Sequence, residues 1–424
     1  MLSMQQNNSR FALIDCNNFY VSCERAFNPK LNHRPVVVLS NNDGCIISRS
    51  NEIKRLGVPM GAPVFKWQRL LDMHHTVTFS SNFALYGDIS NRIMSLINRE
   101  CSDMEVYSID EAFVQLDNNA TFNAGSLQAS ILQSTSIPVS IGIGQTKTLA
   151  KIANYIAKKY SKHYGIFDIS SVSNIDEVLM SISINDVWGI GKSTSKLLNR
   201  YGVTNGMQLR DLSDVWVRNN LNINCLRTIY ELRGISCLPL EASTPQKKSI
   251  ATTRSFGTSI KKLSTLEESI STYAVRVTEK LRQQHSLASG LIVFLRTNQF
   301  ADGKQYHNTK SYIFDEPTDY TPIVIQTAVS CIRYLYKQEY EYKKAGVILF
   351  GITNNDHRQA NMFLKTDHQH QQRISTTIDK INRKLGKDAI FFGKMGMKRD
   401  WRIFNNRMSK FYTTSTYDLL RVQA

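Results

Sequence analysis

Cysteine is scarce in this chain, and what cysteine there is does not pair. The seven residues fall at positions 16, 23, 45, 101, 225, 237 and 331, an odd number with no Cys-x-x-Cys among them. Scattered thiols of that kind exclude a disulfide framework and a zinc ribbon, and they predict reduced core or edge residues. Histidine offers no metal spacing either, since His74-His75 and His368-Gln369-His370 lack partners and read as surface residues. No apolar run is long enough to span a bilayer, and the polar stretch Met1 to Arg10 is unlike a secretion signal. The expectation is a soluble cytoplasmic protein with no membrane partner. Internal repeats and Walker-type loops are also missing.

Acidic side chains are in deficit. Lys and Arg number 52 against 35 Asp and Glu, a formal net charge of +17. The excess is uneven: 23 basic and 19 acidic residues lie up to position 240, and 29 and 16 lie beyond it. That asymmetry predicts a polyanion held mainly by the C-terminal half. With 42% apolar residues over 424 positions the chain can bury several cores, and its length predicts about three domains.

The acids that remain are placed tellingly. Phe11 to Cys16 reads as a continuous apolar strand with the carboxylate of Asp15 near its end, and Tyr107 to Phe113 carries Asp110 and Glu111 side by side in an apolar run. Asp110 and Glu111 read either as two solvated acids at a strand end or as buried carboxylates, which are costly unpaired and would need something cationic beside them. Three acids on neighbouring strands suit hard Mg²⁺ shared with substrate phosphates and do not suit zinc. A regular strand would send Asp110 and Glu111 to opposite faces, so their convergence requires a bend at that point.

Around these acids the chain offers basic elements. Val36 to Leu39 reads as a buried strand followed by the turn 40–44, and Ser48 to Leu56 as a helix presenting Arg49, Lys54 and Arg55. Ile137 to Gly144 reads as a strand running into a helix from Thr146, with Lys147, Lys151 and Lys158 on one face, either simply solvated or neutralising a triphosphate. Val187 to Lys192 has the apolar-Gly-apolar-Gly pattern of a helix-hairpin-helix. There Gly189 and Gly191 either form a plain Gly-rich turn or let a phosphate approach the backbone, with Lys192 opening the following helix.

A linker is expected at 245–249. After it come strand 249–257, helix 264–284, strands 290–297 and 308–314, helix 321–337 and strand 345–352, a β-α-β-β-α-β order. From Leu364 onward 13 basic and 5 acidic residues, weakly periodic until Ile374 to Leu385, suggest a partly ordered basic tail.

Taken together, D-C-N-N-F-Y at 15–20, V-V-V-L-S-N-N-D-G-C at 36–45, Y-S-I-D-E-A-F at 107–113, G-Q-T-K-T-L-A-K at 144–151, D-V-W-G-I-G at 186–191, R-S-F-G at 254–257 and K-A-G-V at 344–347 resemble the Y-family DNA polymerases, and within them the UmuC branch. The resemblance runs along nearly the whole chain. It implies an α+β multidomain, right-hand polymerase: palm (1–27 and 79–168), small fingers (28–78), helix-hairpin-helix thumb (169–243), β-α-β-β-α-β little finger (249–355) and basic tail (356–424).

By the same resemblance Asp15, Asp110, Glu111 and the backbone carbonyl of Cys16 would ligate two Mg²⁺ ions. Phe19 and Tyr20 would lie under the incoming sugar with Tyr20 as steric gate, and Lys54, Lys158 and Arg49 would meet the triphosphate. Gly189, Gly191, Lys192 and Arg254 would contact DNA. Gln359, Met362 and Phe363 are similar to the Gln-x-x-Leu-Phe peptides that dock on the sliding clamp. A processed UmuD-like dimer and RecA are implied as further partners, in low-fidelity synthesis across lesions during the SOS response and in association with the nucleoid. Two other classes stay open on the residues alone: a different two-metal palm enzyme such as a nucleotidyl cyclase, and a catalytically silent DNA-binding accessory.

Overall fold

The structure is a computed structural model, and it describes residues 10–116, 122–160, 163–241, 245–357, 367–399, 401 and 404–419. The chain divides into two compact units. The first comprises Met1–Ser40, Gly44–Thr244 and Arg407–Ala424; the second comprises Asn41–Asp43 and Pro245–Asn406. Among the described residues no helix is long and apolar enough to cross a membrane. All seven cysteines are free thiols.

The first unit is built on a five-stranded sheet in the order Met104–Val106, Glu111–Leu116, Arg10–Cys16, Val139–Gly144, Ile166–Asp168. The central strand Arg10–Cys16 is antiparallel to both neighbours. Its residues 11–14 and 16 are apolar because both of its faces are covered. Phe11 and Leu13 pack with Phe113 and Ala150 on one side, while Ala12, Ile14 and Cys16 belong to the large core formed with helices Phe19–Phe27, Phe83–Glu100 and Ala124–Thr135.

The helix Lys147–Lys159 leaves this sheet from an N-cap at Thr146, whose side chain accepts from Leu149 N–H. It lies directly against Val139–Gly144. A Cβ at Gly142 would stand 2.1 Å from the backbone nitrogen of Asn154, and one at Gly144 would stand 2.8 Å from that of Ala150. Only glycine permits so close an approach.

A small three-stranded sheet, ordered Ile46–Arg49, Val36–Leu39, Val77–Ser80, carries the short helix Asn51–Arg55 and the helix Val64–Met73. Here the expected helix over 48–56 is corrected. Ser48 and Arg49 lie on a strand antiparallel to Val36–Leu39, and the helix occupies only Asn51–Arg55. Burial alternates along Ile46–Arg49, the signature of a half-buried ladder that outweighs helical propensity over so short a stretch.

Between residues 175 and 232 the same unit is helical, with Ile175–Met180, Lys192–Arg200, Gly206–Arg210, Asp214–Asn220 and Ile223–Leu232 around one apolar core. The side chain of Glu231, fully buried, accepts from the N–H groups of Thr148, Cys237 and Leu238 at 2.6–3.1 Å. It thereby satisfies a free donor in the first turn of Lys147–Lys159.

The second unit has a four-stranded antiparallel sheet in the order His307–Thr318, Ser286–Thr297, Tyr342–Asn354, Ile250–Ile260. With helices Leu263–Gln283 and Thr321–Leu335 it follows the expected β-α-β-β-α-β order. The C-terminal stretch is more firmly packed than its composition suggests. Helix His368–Leu385 runs longer than its weak periodicity indicates, and Met395 and Trp401 join the core of the second unit. Residues from Arg407 return to the first unit.

Candidate active site

Asp15 and Glu111 face each other as a cross-strand pair at the end of the central strand. The bend demanded by the adjacent acids is present, because Glu111 is the first residue of its strand whereas Ser108–Asp110 form the turn before it, with Tyr107 and Ser108 N–H both donating to Glu111 O. Asp110 is tied to the same corner from its backbone: its carbonyl accepts from Cys16 N–H at 2.9 Å. Its side chain accepts from Ser108 Oγ at 2.6 Å.

Cations attend both facing acids. Lys158 Nζ lies 2.5 Å from Asp15 Oδ1, and Lys151 Nζ 2.9 Å from Glu111 Oε2. Burial pushes Asp15 up from 3.8 to about 7 despite Lys158. For Glu111 burial acts upward too, but Lys151, with Asp15 and Lys158, outweighs it and leaves the carboxyl below its ordinary range. Cys16 is buried beneath the acids, and its thiol is raised first by burial and then by Asp15 and Asp110.

Lys151 is further enclosed by aromatic rings, 4.4 Å from the centroid of Tyr107, 5.4 Å from Trp188 and 5.7 Å from Phe113. Trp188 Nε1 donates to Tyr107 Oη at 3.2 Å. Lysine over several ring faces is stabilised by their quadrupoles. The role of Tyr107 and Trp188 escaped the sequence reading, although both stand within motifs already singled out. Lys147, expected on the same open face as Lys151 and Lys158, is instead buried against Glu105 and donates to Pro239 O. It stands in the first turn, where that face turns into the protein.

Phe19 and Tyr20 open a helix rather than extend the strand. Phe19 is buried in the core, and Tyr20 is half-buried, close enough to Asp110 for the acid to contribute to raising its phenol after burial. Lys54 is lowered chiefly by burial, then by Lys158 and Arg49, with Asp15 acting in the opposite sense. The structure therefore brings Asp15, Glu111, Lys158, Lys54 and Arg49 into one electrostatic neighbourhood, with Asp110 and Tyr20 beside it. Arg49 Nη1 itself donates to Val58 O.

Gly189 has φ +87°, a conformation suited to glycine, whereas a Cβ at Gly191 would meet nothing within 4 Å. Gly191 caps the helix that Lys192 begins, and both are exposed. Arg254 is exposed on strand Ile250–Ile260 of the second unit. Gln359, Met362 and Phe363 lie outside the described residues.

Among the described residues no three His, Cys, Asp or Glu side chains converge closely enough to hold a metal ion. Asp110 is turned to Ser108, and lysines occupy the other two acids. The donor set nonetheless fits a hard divalent ion. Its side-chain donors are carboxylate oxygens, the ligand type such an ion prefers, and two of them face each other across adjacent strands.

Residues 14–155 match the impB/mucB/samB family, 247–362 its C-terminal domain and 172–203 its helix-hairpin-helix motif; 372–422 match a domain of unknown function. The chain is 38% identical to Protein UmuC of Salmonella typhimurium, over 97% of this chain and 100% of that protein. It is 34% identical to Protein SamB of the same organism, over 96% and 98%. A DNA polymerase IV of Staphylococcus aureus is 26% identical over 69% of this chain and 89% of its own length. Among solved structures, a Y-family DNA polymerase chimera covers 82% of this chain and 100% of its own, at 20% identity and a TM-score of 0.66, a likeness of fold. The chain belongs to the impB/mucB/samB family, the UmuC branch of the Y-family DNA polymerases.

Proposed function

We propose that this polymerase extends a primer from deoxynucleoside triphosphates across damaged template positions, at low fidelity and in the DNA-damage (SOS) response, with Asp15, Asp110 and Glu111 as its catalytic acids. The observation that carries the assignment is the facing pair Asp15 and Glu111, set where two neighbouring strands adjoin and attended by Lys158 and Lys151. Membership of the family implies dependence on a divalent metal, and we assign Mg²⁺, two ions held by these carboxylates with the Cys16 carbonyl. Bound there, Mg²⁺ supplies a more acidic primer 3′-hydroxyl and neutralisation of the leaving pyrophosphate.

The rest is done by the chain. Lys158, Lys54 and Arg49 neutralise triphosphate oxygens, and Lys158 exchanges its hold on Asp15 for that contact. Tyr20 bars a 2′-hydroxyl by overlap. Gly189, Gly191 and Lys192 in the thumb and Arg254 in the little finger hold phosphates without reading sequence. The palm, fingers, thumb, little finger and tail keep the boundaries given above. Gln359, Met362 and Phe363 supply a clamp-docking peptide, and a UmuD-like dimer and RecA are the further partners, on the nucleoid.

Primer extension with Mg²⁺ by the purified chain, alone and with those partners, tests the reading. Glu111→Ala or Asp110→Ala is expected to reduce extension by about a thousandfold or more while primer–template affinity stays near wild type, since the loss falls on the transition state. Undiminished extension by either variant overturns the assignment. A nucleotidyl cyclase would give a cyclic product and no extension, and a silent accessory would give neither.

A further inference from the structure

The helix Phe19–Phe27 places Tyr20 and Glu24 one turn apart on the same face. Both engage a single residue of the helix Phe83–Glu100, Tyr86, which is fully buried. The rings of Tyr20 and Tyr86 stack with centroids 4.6 Å apart at 19°, and Phe83 meets Tyr20 edge-on at 6.0 Å. At its other end the Tyr86 hydroxyl donates to Glu24 Oε1 at 2.6 Å. Tyr86 is thus fixed at both ends by the helix that bears Tyr20.

Glu24 is 2% exposed and has no cation on it among the described ion pairs. Its second donor comes from the far end of the chain: Ser409 Oγ donates to the same Oε1 at 3.0 Å. Ser409 is itself held. The buried Asn82 donates through Nδ2 to Ser409 O, Ser409 Oγ and Lys410 O at 3.1–3.2 Å, while its Oδ1 caps the helix that carries Tyr86. Ser80 N–H donates to Arg407 O, and Arg407 N–H donates to Ser80 Oγ, both at 3.1 Å. Tyr412 stacks on Phe27 at 4.9 Å and 4°. Residues 407–412 are therefore seated on the first unit by side-chain and main-chain bonds, and one of those bonds reaches the acid behind Tyr20.

We propose that the segment 407–412 is a working part of the sugar-selecting wall, in which Ser409, through Glu24 and Tyr86, holds the ring of Tyr20 against the incoming nucleotide. This gives a role to part of the stretch that matches a domain of unknown function, and it rests on the reading of Tyr20 as the residue that bars ribose. Exclusion by overlap works only while the excluding ring cannot retreat, because repulsion falls away over a few tenths of an ångström. A ring backed by a buried partner, itself bonded at its far end, cannot retreat. Ser409, Glu24 and Tyr86 are accordingly positioning residues, acting through Tyr20 and not on the substrate.

The test compares kcat/KM for a deoxynucleotide and the matching ribonucleotide in primer extension by the full chain. Wild type, Ser409→Ala, Tyr86→Leu, Tyr20→Ala and the double variant Tyr20→Ala/Ser409→Ala are needed, each with its thermal midpoint. Ser409→Ala is expected to lower the deoxy-to-ribo ratio about threefold and Tyr86→Leu about tenfold or more, through faster ribonucleotide insertion. In the Tyr20→Ala background Ser409→Ala should change nothing further, since coupled residues are not additive. A merely structural role would lower insertion of both sugars together.

A ratio unchanged in Ser409→Ala, or lowered equally with and without Tyr20, overturns the inference while leaving Tyr20 in place. A ratio unchanged in Tyr20→Ala overturns the reading of the site, and the inference falls with it. Should Tyr86→Leu fail to fold, Ser409→Ala alone decides, because it removes one hydroxyl and opens no cavity.

Discussion

The two units of this molecule handle charge in opposite ways. Among the described residues, the buried polar side chains of the second unit are all serines and threonines, whereas the first unit buries Asp15, Glu24, Glu105, Lys147 and Glu231. The hydroxyls of the second unit are satisfied locally: Ser271, Thr272 and Thr278 each donate to the carbonyl four residues earlier in helix Leu263–Gln283. The charges of the first unit draw on partners far along the sequence, as Glu105 does on Lys147 and on Glu241 N–H. Buried titratable groups are costly to hold, and they are found in the unit that carries the candidate active site; the unit expected to grip DNA keeps its charge outside.

The sharpest way to break that contrast is to strip one partner from each unit. Lys147→Met leaves Glu105 buried without its cation and is expected to destabilise by about 3–5 kcal/mol. Thr278→Val in the second unit should cost about 1 kcal/mol. Urea unfolding of both variants decides, and equal losses would mean that the two regions do not differ.

Asp15→Asn should act in the reverse direction on stability. Because burial raises Asp15, its carboxyl holds a proton to higher pH in the folded chain than in the unfolded one. The stabilisation from that proton is complete below 3.8 and is lost as pH rises through about 7. Metal-free Asp15→Asn should therefore be more stable than wild type at neutral pH, by roughly 1–3 kcal/mol, and equally stable in acid, while extension is abolished. Thermal unfolding in chelator across pH 4–8 is the measurement, and a variant less stable at neutral pH would contradict the sign.

The smallest effect belongs to the second unit. Arg254→Ala removes one exposed cation, so primer–template affinity should fall about three- to tenfold regardless of sequence, and the salt slope should flatten by about one. Fluorescence anisotropy over a range of salt checks both. A sequence-dependent loss would indicate base reading instead.

Much of this arrangement is legible in the residues. The order of strands and helices in the β-α-β-β-α-β unit is readable from the sequence, and so is the buried apolar strand ending at Asp15 and Cys16. The bend before Glu111 is inferable from chemistry, since adjacent acids cannot otherwise meet. What escapes the sequence depends on distant partners. The burial of Lys147 requires Glu105, 42 residues away along the chain. Residues 46–49 became a strand because Val36–Leu39 offers them a ladder. Met395 and Trp401 are isolated apolar residues in a basic stretch, and nothing local announces that they join a core.

The hydrogens of Gly142 and Gly144 finally set a gauge for the candidate site. They fix how close Lys147–Lys159 comes to Val139–Gly144, and Lys151 and Lys158 ride on that helix. A methyl group at Gly142 would need about 1 Å or more of clearance from Asn154, and the helix has to yield it. Both lysines would then be carried off the acids together. The tolerance of the candidate site is thus set by two residues that bear no charge and no side chain.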